Sequence, residues 1–451
     1  MREGSLDAPT RHPIDWQDPD FLNVEKINEE LERVFDICHG CRRCFNLCES
    51  FPRLFDLVDN APSGELDTVA KEDYAKVVEA CTLCDMCFMT KCPYVPPHEY
   101  DLDFPHLMLR ARMAEVKAGK TNATARQLAE MDRNGRLLAL VAPIANWVSA
   151  KGNSLTRPLL ESVLGIDKDA ALPKFHTRTF IMANRGDPLT PNPAAPAFGK
   201  RKAVLFATCY VNYNKPSTGL AARAVLNHLG VETRAEYPGC CGMPFLEQAE
   251  LERVAEQARK VSAALRPLID EGYDIIALTA SCGLMFKYEW PLILPNDANV
   301  KALSKAAYDI DQYVVDIAKK DGLPEGLKRI EGGVTVHLAC HARAQNIGQK
   351  AVEMLRLAPG TEVDVIERCA GHGGTFGVLK ETRVCATKVG TPAFRQAVKG
   401  GKAHLVSDCP LAAKHILEGA QGMAAQRGET FLPETAEHPI EIFAKAYGLM
   451  E

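Results

Sequence analysis

Apolar positions along this chain change period once, near residue 200. Upstream they recur at helical intervals. Val24, Ile27, Leu31, Val34, Phe35 and Ile37 in "VEKINEELERVFDICHG" form one stripe, and "KEDYAKVVEACTLC" repeats the logic, so a helix leads into each of two cysteine-rich stretches. "CPYVPPHEYDLDFP" is proline-rich and extended, "HLMLRARMAEVKAG" predicts a helix closed by glycine, and residues 121 to about 185 read as helices and loops. Downstream, "AVLFAT" predicts a buried strand, and "VETRAEY" and "DIIALT" a second and a third, separated by the helical "STGLAARAVLNHLG" and a long helix "LEQAELERVAEQARKVSAALRPLIDEG". The series then recurs as "GVTVHLA", "KAVEMLRLAPG", "EVDVIER", a helical stretch around 378 to 399, "AHLVSD" and "PLAAKHILEGA". Cys209, Cys240 and Cys282 end strands in the first series, and Cys340, Cys369 and Cys409 do so in the second. The offsets of 131, 129 and 127 residues indicate an internal duplication.

Composition narrows the setting. With 451 residues, 46% hydrophobic and 25% charged, the chain has enough material for several domains with real cores. A net charge of -5 and no basic stripe with interleaved aromatics argue against nucleic acid. "MREGSLDAPTRHPIDWQDPD" lacks a basic start followed by an apolar core, so a cytoplasmic location is expected. The apolar run "LLALVAPIANWVSA" at 137–150 is 14 residues, short of the roughly 20 that span a bilayer. No transmembrane segment is expected; a core or interface helix is the favoured reading, with peripheral contact at the inner face of a membrane as the alternative. Sixteen cysteines in a reducing compartment are metal ligands rather than a disulfide framework.

Their spacing says which metal. "CHGCRRCFNLC" holds Cys38, Cys41, Cys44 and Cys48, and "CTLCDMCFMTKCP" holds Cys81, Cys84, Cys87 and Cys92. Three thiolates at two-residue gaps fit three corners of a cubane, and in bacterial ferredoxins the fourth cysteine ligates the other cluster. Cys38, Cys41, Cys44 and Cys92 are therefore assigned to one [4Fe-4S] cluster, and Cys81, Cys84, Cys87 and Cys48 to a second. Two four-cysteine zinc sites would instead favour paired cysteines. Glu49 stands where proline usually follows the last cysteine of such a run. In the first downstream lobe, Cys209, Cys240, Cys241 and Cys282 converge from strand ends, and the adjacent pair Cys240 and Cys241 suits a polynuclear cluster better than a strained disulfide. Gly239 and Gly242 are expected to free the backbone there and leave room for the cofactor.

The crossed ferredoxin-type cysteines, "CPYVPPHEYDLDFPHLMLRAR", the "CCG" lobe with its duplicate and the closing "EHPIEIFAKAYG" resemble the family of iron-sulfur proteins that includes heterodisulfide reductase and the C-subunit of anaerobic glycerol-3-phosphate dehydrogenase, over residues 25 to 450. Glycolate and lactate oxidase iron-sulfur subunits are more distant members. The resemblance implies an α+β multidomain protein, with an N-terminal helical dicluster ferredoxin-like domain followed by two duplicated α/β CCG lobes of mainly parallel sheets. The expected division is a flexible arm at 1–20, the dicluster domain at 21–120, a helical connector and Pro/Ala-rich linker at 121–202, a first CCG lobe at 203–325 and a second, degenerate lobe at 326–451. It further implies a component that accepts electrons from a flavoprotein or other redox partner and passes them to a quinone, a disulfide or a protein. A glycerol-3-phosphate dehydrogenase is one candidate complex and a rubrerythrin-like partner another. In heterodisulfide reductases a complete lobe carries a cluster on five cysteines; here the fifth position is Met285, so a four-cysteine cluster is the expectation.

The second lobe keeps Cys340, Cys369 and Cys409 but has Ala370 and Ala412 where cysteines are expected. His337 and His341 flank Cys340, and His372 follows Cys369 in "ERCAGHGGTFG". Three readings are open: a zinc or further cluster site on Cys340, Cys369, Cys409 and His372; a proton-handling catalytic site, with Cys241 and His372 as candidate catalytic residues; and a decayed duplicate. Cys385, without a counterpart, reads as a buried, inert thiol. No G-x-G-x-x-G follows a strand, so flavin and NAD are not expected. Function is thus expected to be electron transfer within an oxidoreductase. Direct disulfide reduction at the CCG cluster and a zinc-stapled scaffold without redox activity are the alternatives.

Overall fold

The change of period near residue 200 separates a helical region from two parallel sheets in the computed structural model, which describes residues 9–185 and 190–450. Helix Val24–Cys41 starts where the Asn23 side chain accepts the Lys26 N–H, buries Ile27, Leu31, Val34 and Phe35, and stops at Arg42, whose φ is 52°. Phe35 packs edge-on to Tyr74 at 5.2 Å, and Phe51 meets Phe104 at 4.7 Å. These rings join helices Val24–Cys41, Ser50–Asp59, Tyr74–Ala80 and Phe104–Lys117 into a helical core around the first eight cysteines.

The first sheet contains β1 (Lys202–Phe206), β2 (Glu232–Glu236), β3 (Asp274–Ala277) and β4 (Ala307–Asp309), in the order β2-β1-β3-β4. The second contains β5 (Val334–His337), β6 (Val363–Ile366), β7 (His404–Ser407) and β8 (Ala436–Glu437), in the equivalent order β6-β5-β7-β8. Every pairing is parallel, with Leu205 opposite Ala235 and Ile276, and Val336 opposite Val365 and Val406. Ala203 to Phe206 and Val334 to His337 are buried without alternation, as strands covered on both faces must be. Chain direction across the sheet reverses beside β1 and beside β5, which opens a crevice at the carboxyl ends of those strands. All six downstream strand-end cysteines follow such ends. The edge strands β4 and β8, three and two residues long, were not expected.

Several expectations change. The long helix expected at 246–272 is two helices, Met243–Glu247 and Leu251–Asp270, broken where Ala249 takes φ 56°. Residues 9–20, within the stretch expected to be a flexible arm, are fastened down: the Ile14 N–H donates to Leu292 O at 2.9 Å, the Trp16 indole donates to Ile293 O at 3.0 Å, and Arg11 enters a buried ion network. The rest of that arm, residues 1–8, and residues 186–189 of the expected linker lie outside the described residues. The remaining linker packs, with Ala195 and Ala197 buried.

The 137–150 segment does not form a core helix. It divides between helices Met131–Leu140 and Ala142–Ser149, and its large side chains face outward: Leu140 is 79% exposed, Ile144 65% and Trp147 58%. Leu155, Leu159 and Val163 of the following segment are exposed as well. A helical stripe shows that one face is apolar but not what covers it. Among the described residues no helix is long and apolar enough to cross a membrane.

Candidate metal centres

Cys38 and Cys41 end helix Val24–Cys41, Cys44 lies in the turn beyond it, and Cys92 follows helix Met86–Thr90. Together they line a small, partly open hollow with Phe51, Phe55 and Leu102. Burial, then the charges of Cys92, Cys44 and Cys41, push the Cys38 thiol well above its usual value. Burial, then Cys92 and Cys41, push Cys44 up to about 12. Thiols this crowded resist ionisation unless positive charge arrives between them, which is what a metal centre brings.

The other set lies deeper. Burial, then Cys84, Cys81, Cys44 and Cys48, raises Cys87, and burial, then Cys84 and Cys81, raises Cys48. Cys92 thus lies near Cys38 and Cys44, and Cys48 near Cys81, Cys84 and Cys87, with Cys44 close enough to Cys87 for its charge to be felt there. Leu83 and Asp85 adopt φ 50° and 61°, turning backbone N–H groups of Leu83 and Met86 toward the sulfurs of Cys81 and Cys84.

In the first lobe, Thr208 (φ 49°) accepts the Val211 N–H and starts helix Cys209–Tyr213 directly after β1. Cys240 Sγ lies 4.0 Å from Cys209 Sγ, and Cys282 Sγ lies 3.2 Å from Cys241 Sγ. Hydrogen bonds with Cys209 and Cys241, and the Gly242 N–H at 3.4 Å from its sulfur, lower Cys240 well below the usual thiol value against the burial that raises it. Three supports come from elsewhere. Asp132, from the connector, accepts the Cys240 N–H at 3.0 Å and the Tyr237 hydroxyl; the Trp290 indole donates to Cys241 O at 3.0 Å; the Thr279 hydroxyl donates to Cys282 Sγ at 3.3 Å. Gly242 takes φ 84° and so frees the backbone as expected, whereas at Gly239 a Cβ would lie 3.0 Å from Gln257 Oε1, which makes that glycine a matter of packing. Met285, at the fifth-ligand position, is fully buried at the start of a π-helical turn, Met285–Glu289.

The second-lobe thiols adjoin the deeper N-terminal set. Burial, then Cys84, Cys369 and Cys409, raises Cys340, and Cys48 and Cys84 each feel Cys369. Ala370 and Ala412 stand within an apolar cluster with Phe394 and Ile416, so the two missing cysteines are replaced by core packing. His337 uses both ring nitrogens, on Ser407 Oγ at 2.9 Å and Arg368 O at 3.1 Å, while His341 Nδ1 meets Ser281 Oγ at 2.9 Å across the lobes. His372 turns its ring to His415, 5.9 Å away, and burial, then Arg383, lowers it to about 4. The structure thus gathers Cys340, Cys369 and Cys409 without showing a contact from His372. Nor does any described contact join His372 to Cys241. Cys385 is only half-buried, beside Glu49, rather than buried as expected.

Among the described residues, one group of three or more metal-ligand types has all its ligand atoms within 4.8 Å, and no cysteine is in it: Asp311, Asp408 and His438. The Ile440 N–H donates to His438 Nδ1, which leaves the neutral ring's proton on Nε2. Sequence reasoning missed Asp132, Trp290 and this triad, because no local spacing links residues 30 or more positions apart.

Comparison with known proteins agrees with the motifs. The family model for the cysteine-rich CCG domain matches twice, at residues 203–287 and 334–412. The C-subunit of anaerobic glycerol-3-phosphate dehydrogenase from Escherichia coli (strain K12) is 28% identical over 325 residues, 71% of this chain and 76% of that protein. Lactate utilization protein A of Bacillus cytotoxicus is 29% identical over 191 residues, 39% of this chain and 74% of that protein; the Bacillus pumilus protein is 29% identical over 188 residues, 39% and 75%. With two cysteine-rich CCG domains set behind paired four-cysteine runs, the chain is similar to iron-sulfur proteins of the kind that includes the anaerobic glycerol-3-phosphate dehydrogenase C-subunit.

Proposed function

We propose that this protein is the electron-transfer subunit of an oxidoreductase, accepting electrons from a flavoprotein or other redox partner and delivering them to a quinone, a disulfide or a protein. Cys38, Cys41, Cys44 and Cys92 would hold one [4Fe-4S] cluster, Cys81, Cys84, Cys87 and Cys48 a second, and Cys209, Cys240, Cys241 and Cys282 a third. Clusters bound there supply one-electron chemistry without a proton. The carrying observation is the continuity of the thiol sets. Cys44 is among the charges felt by Cys87, and Cys369 is among those felt by Cys48 and Cys84, so the sets run from the half-exposed first site into the second lobe.

The protein's own groups prepare these positions. Buried aromatic rings exclude water, backbone N–H groups face the sulfurs, and Lys91 and Arg43 oppose the negative charge at Cys44. Cys340, Cys369 and Cys409 form the proposed second-lobe site, with His372 outside it. Direct disulfide reduction is less well supported, because Cys241 is buried against Cys282. The zinc scaffold is disfavoured by the successive two-residue gaps of the N-terminal runs, which suit three corners of a cubane better than paired cysteines on one ion.

The relatives named after glycerol-3-phosphate dehydrogenase and lactate utilization make a dehydrogenase complex the proposed setting. Peripheral membrane contact is proposed through the outward face carrying Leu140, Ile144 and Trp147, flanked by the exposed Arg133, Arg136 and Lys151. Vesicles containing anionic lipid should shift Trp147 emission, and an unchanged spectrum would remove this part of the proposal.

The main test is anaerobic purification with iron and acid-labile sulfide per chain, followed by stepwise reduction under EPR. About eight irons correspond to two cubanes and about twelve to three. A colourless, iron-free protein, or one that exchanges no electrons with a reduced flavoprotein or a quinone analogue, overturns the reading.

A further inference from the structure

Helix Cys340–Ala344 is where the second lobe touches both the first lobe and the helical region, packing against Ala280–Leu284 on one side and Met86–Thr90 on the other. Buried Gln345, which ends it, clamps it to the first lobe. Its Nε2 donates to Ala280 O at 3.1 Å and to Asp309 Oδ2 at 2.6 Å. Its Oε1 accepts from Lys287 Nζ at 2.7 Å, and its carbonyl accepts the Tyr288 hydroxyl at 2.7 Å. A Cβ on Gly283 would lie 2.9 Å from Gln345 Nε2, so this close approach needs glycine.

The clamp fixes the residue that follows Cys340. His341 Nδ1 lies 2.9 Å from Ser281 Oγ, and the same ring is hydrogen-bonded to the backbone of Leu83. Ser281 precedes Cys282 and Leu83 precedes Cys84, so one imidazole joins chain neighbours of Cys84, Cys282 and Cys340. A second connection between the same regions is longer. It runs from Asp85 to Arg11 at 2.9 Å, from Arg11 to Glu289 at 3.2 Å, and along the backbone to Trp290, whose indole reaches Cys241 O at 3.0 Å. Electronic coupling falls with every gap that is not a covalent bond. The path through His341 has two such gaps and the path through Arg11 has three.

We propose that His341 is the positioning residue through which electrons enter the first-lobe site. The inference rests on the electron-transfer reading above and names its internal route. One electron passes from the site of Cys48, Cys81, Cys84 and Cys87 to that of Cys209, Cys240, Cys241 and Cys282, so the first is oxidised and the second reduced. No proton moves with it, and the imidazole keeps both hydrogen bonds throughout.

The test is freeze-quench EPR of the full, cluster-loaded chain after rapid mixing with dithionite, for the wild type, His341→Leu and Ser281→Ala. The N-terminal signals should rise at the wild-type rate in both variants. The first-lobe signal should rise more slowly in both, by about 10-fold or more in His341→Leu. An unchanged first-lobe rate in either variant, or slowing in Trp290→Phe in its place, overturns the proposal. If His341→Leu does not fold or load, Ser281→Ala decides. Slower arrival there that comes with lost iron or a shifted midpoint shows a merely structural role and overturns the proposal as well.

Hydrogen exchange of the full chain supplies a readout independent of electron flow. The segments around Leu83 and Ser281 should both exchange faster in His341→Leu, and unchanged exchange in either also overturns the proposal. A wild-type preparation without iron and sulfide counts against the electron-transfer reading, while hydrogen exchange still decides whether the ring ties the two loops.

Discussion

Arg11 Nη1 lies 3.2 Å from Glu289 Oε1, across 278 residues of sequence, and the same guanidinium bonds Asp103 at 2.7 Å and Asp85 at 2.9 Å. One cation thus fastens the N-terminal segment, the loop between Cys84 and Cys87, helix Phe104–Lys117 and the first lobe. Replacing it by Arg11→Met would leave buried carboxylates facing one another. The expected loss is about 3–5 kcal/mol of stability, read as a lower denaturation midpoint.

His106 completes this network, 3.2 Å from both Asp103 and Glu289. Burial works against its charge, but Asp103 and Glu289 prevail and raise it to about 9. The folded protein then binds more protons than the unfolded chain between pH 6.5 and about 9, so this contribution is complete below pH 6.5 and is lost as pH rises through about 9. Chemical denaturation across that range should show the decline, and His106→Gln should flatten it.

Two glycine substitutions should act in opposite directions. Gly374→Ala collides with Glu247 and imposes a side chain on φ +59°, which alone costs roughly 1–2 kcal/mol. Gly422, in helix Pro410–Arg427, has nothing within 4 Å of an added Cβ, so Gly422→Ala should stabilise by roughly 1 kcal/mol. Thermal unfolding of both variants checks the contrast.

Asp132→Ala removes the acceptor for the Cys240 N–H and the Tyr237 hydroxyl. First-lobe metal affinity should fall about 10–100-fold, as for other outer partners of metal ligands. Iron per chain should drop by one cluster's worth, with the EPR signals of the two N-terminal sites unchanged.

What the sequence disclosed follows the reach of each signal. Six of the eight strands are runs of four or five residues set between helices, and those with apolar cores stand out without help; β2, Glu232–Glu236, is polar and only partly buried, and β4 and β8 are shorter than any period. The N-terminal cysteines are legible because their ligand spacing is local. Asp132 is not, since its partnership with Cys240 exists only after 108 intervening residues have folded. His372 follows Cys369 closely in sequence, but the glycine turn sends its ring to His415. At 137–150 the helical stripe is real, but the same stripe would serve a core or an exposed face.

The hydrogen bond from Cys240 N–H to Asp132 also bears on how the protein is made. A fragment starting at residue 203 would own all four first-lobe thiols and both sheets, but nothing in it could replace the connector's carboxylate. Metal capture by that lobe is therefore tied to the prior arrival of the helical half, which leaves the ribosome first. Iron loading becomes a report on the integrity of the whole polypeptide, and a truncated or misassembled chain would identify itself by failing to hold it.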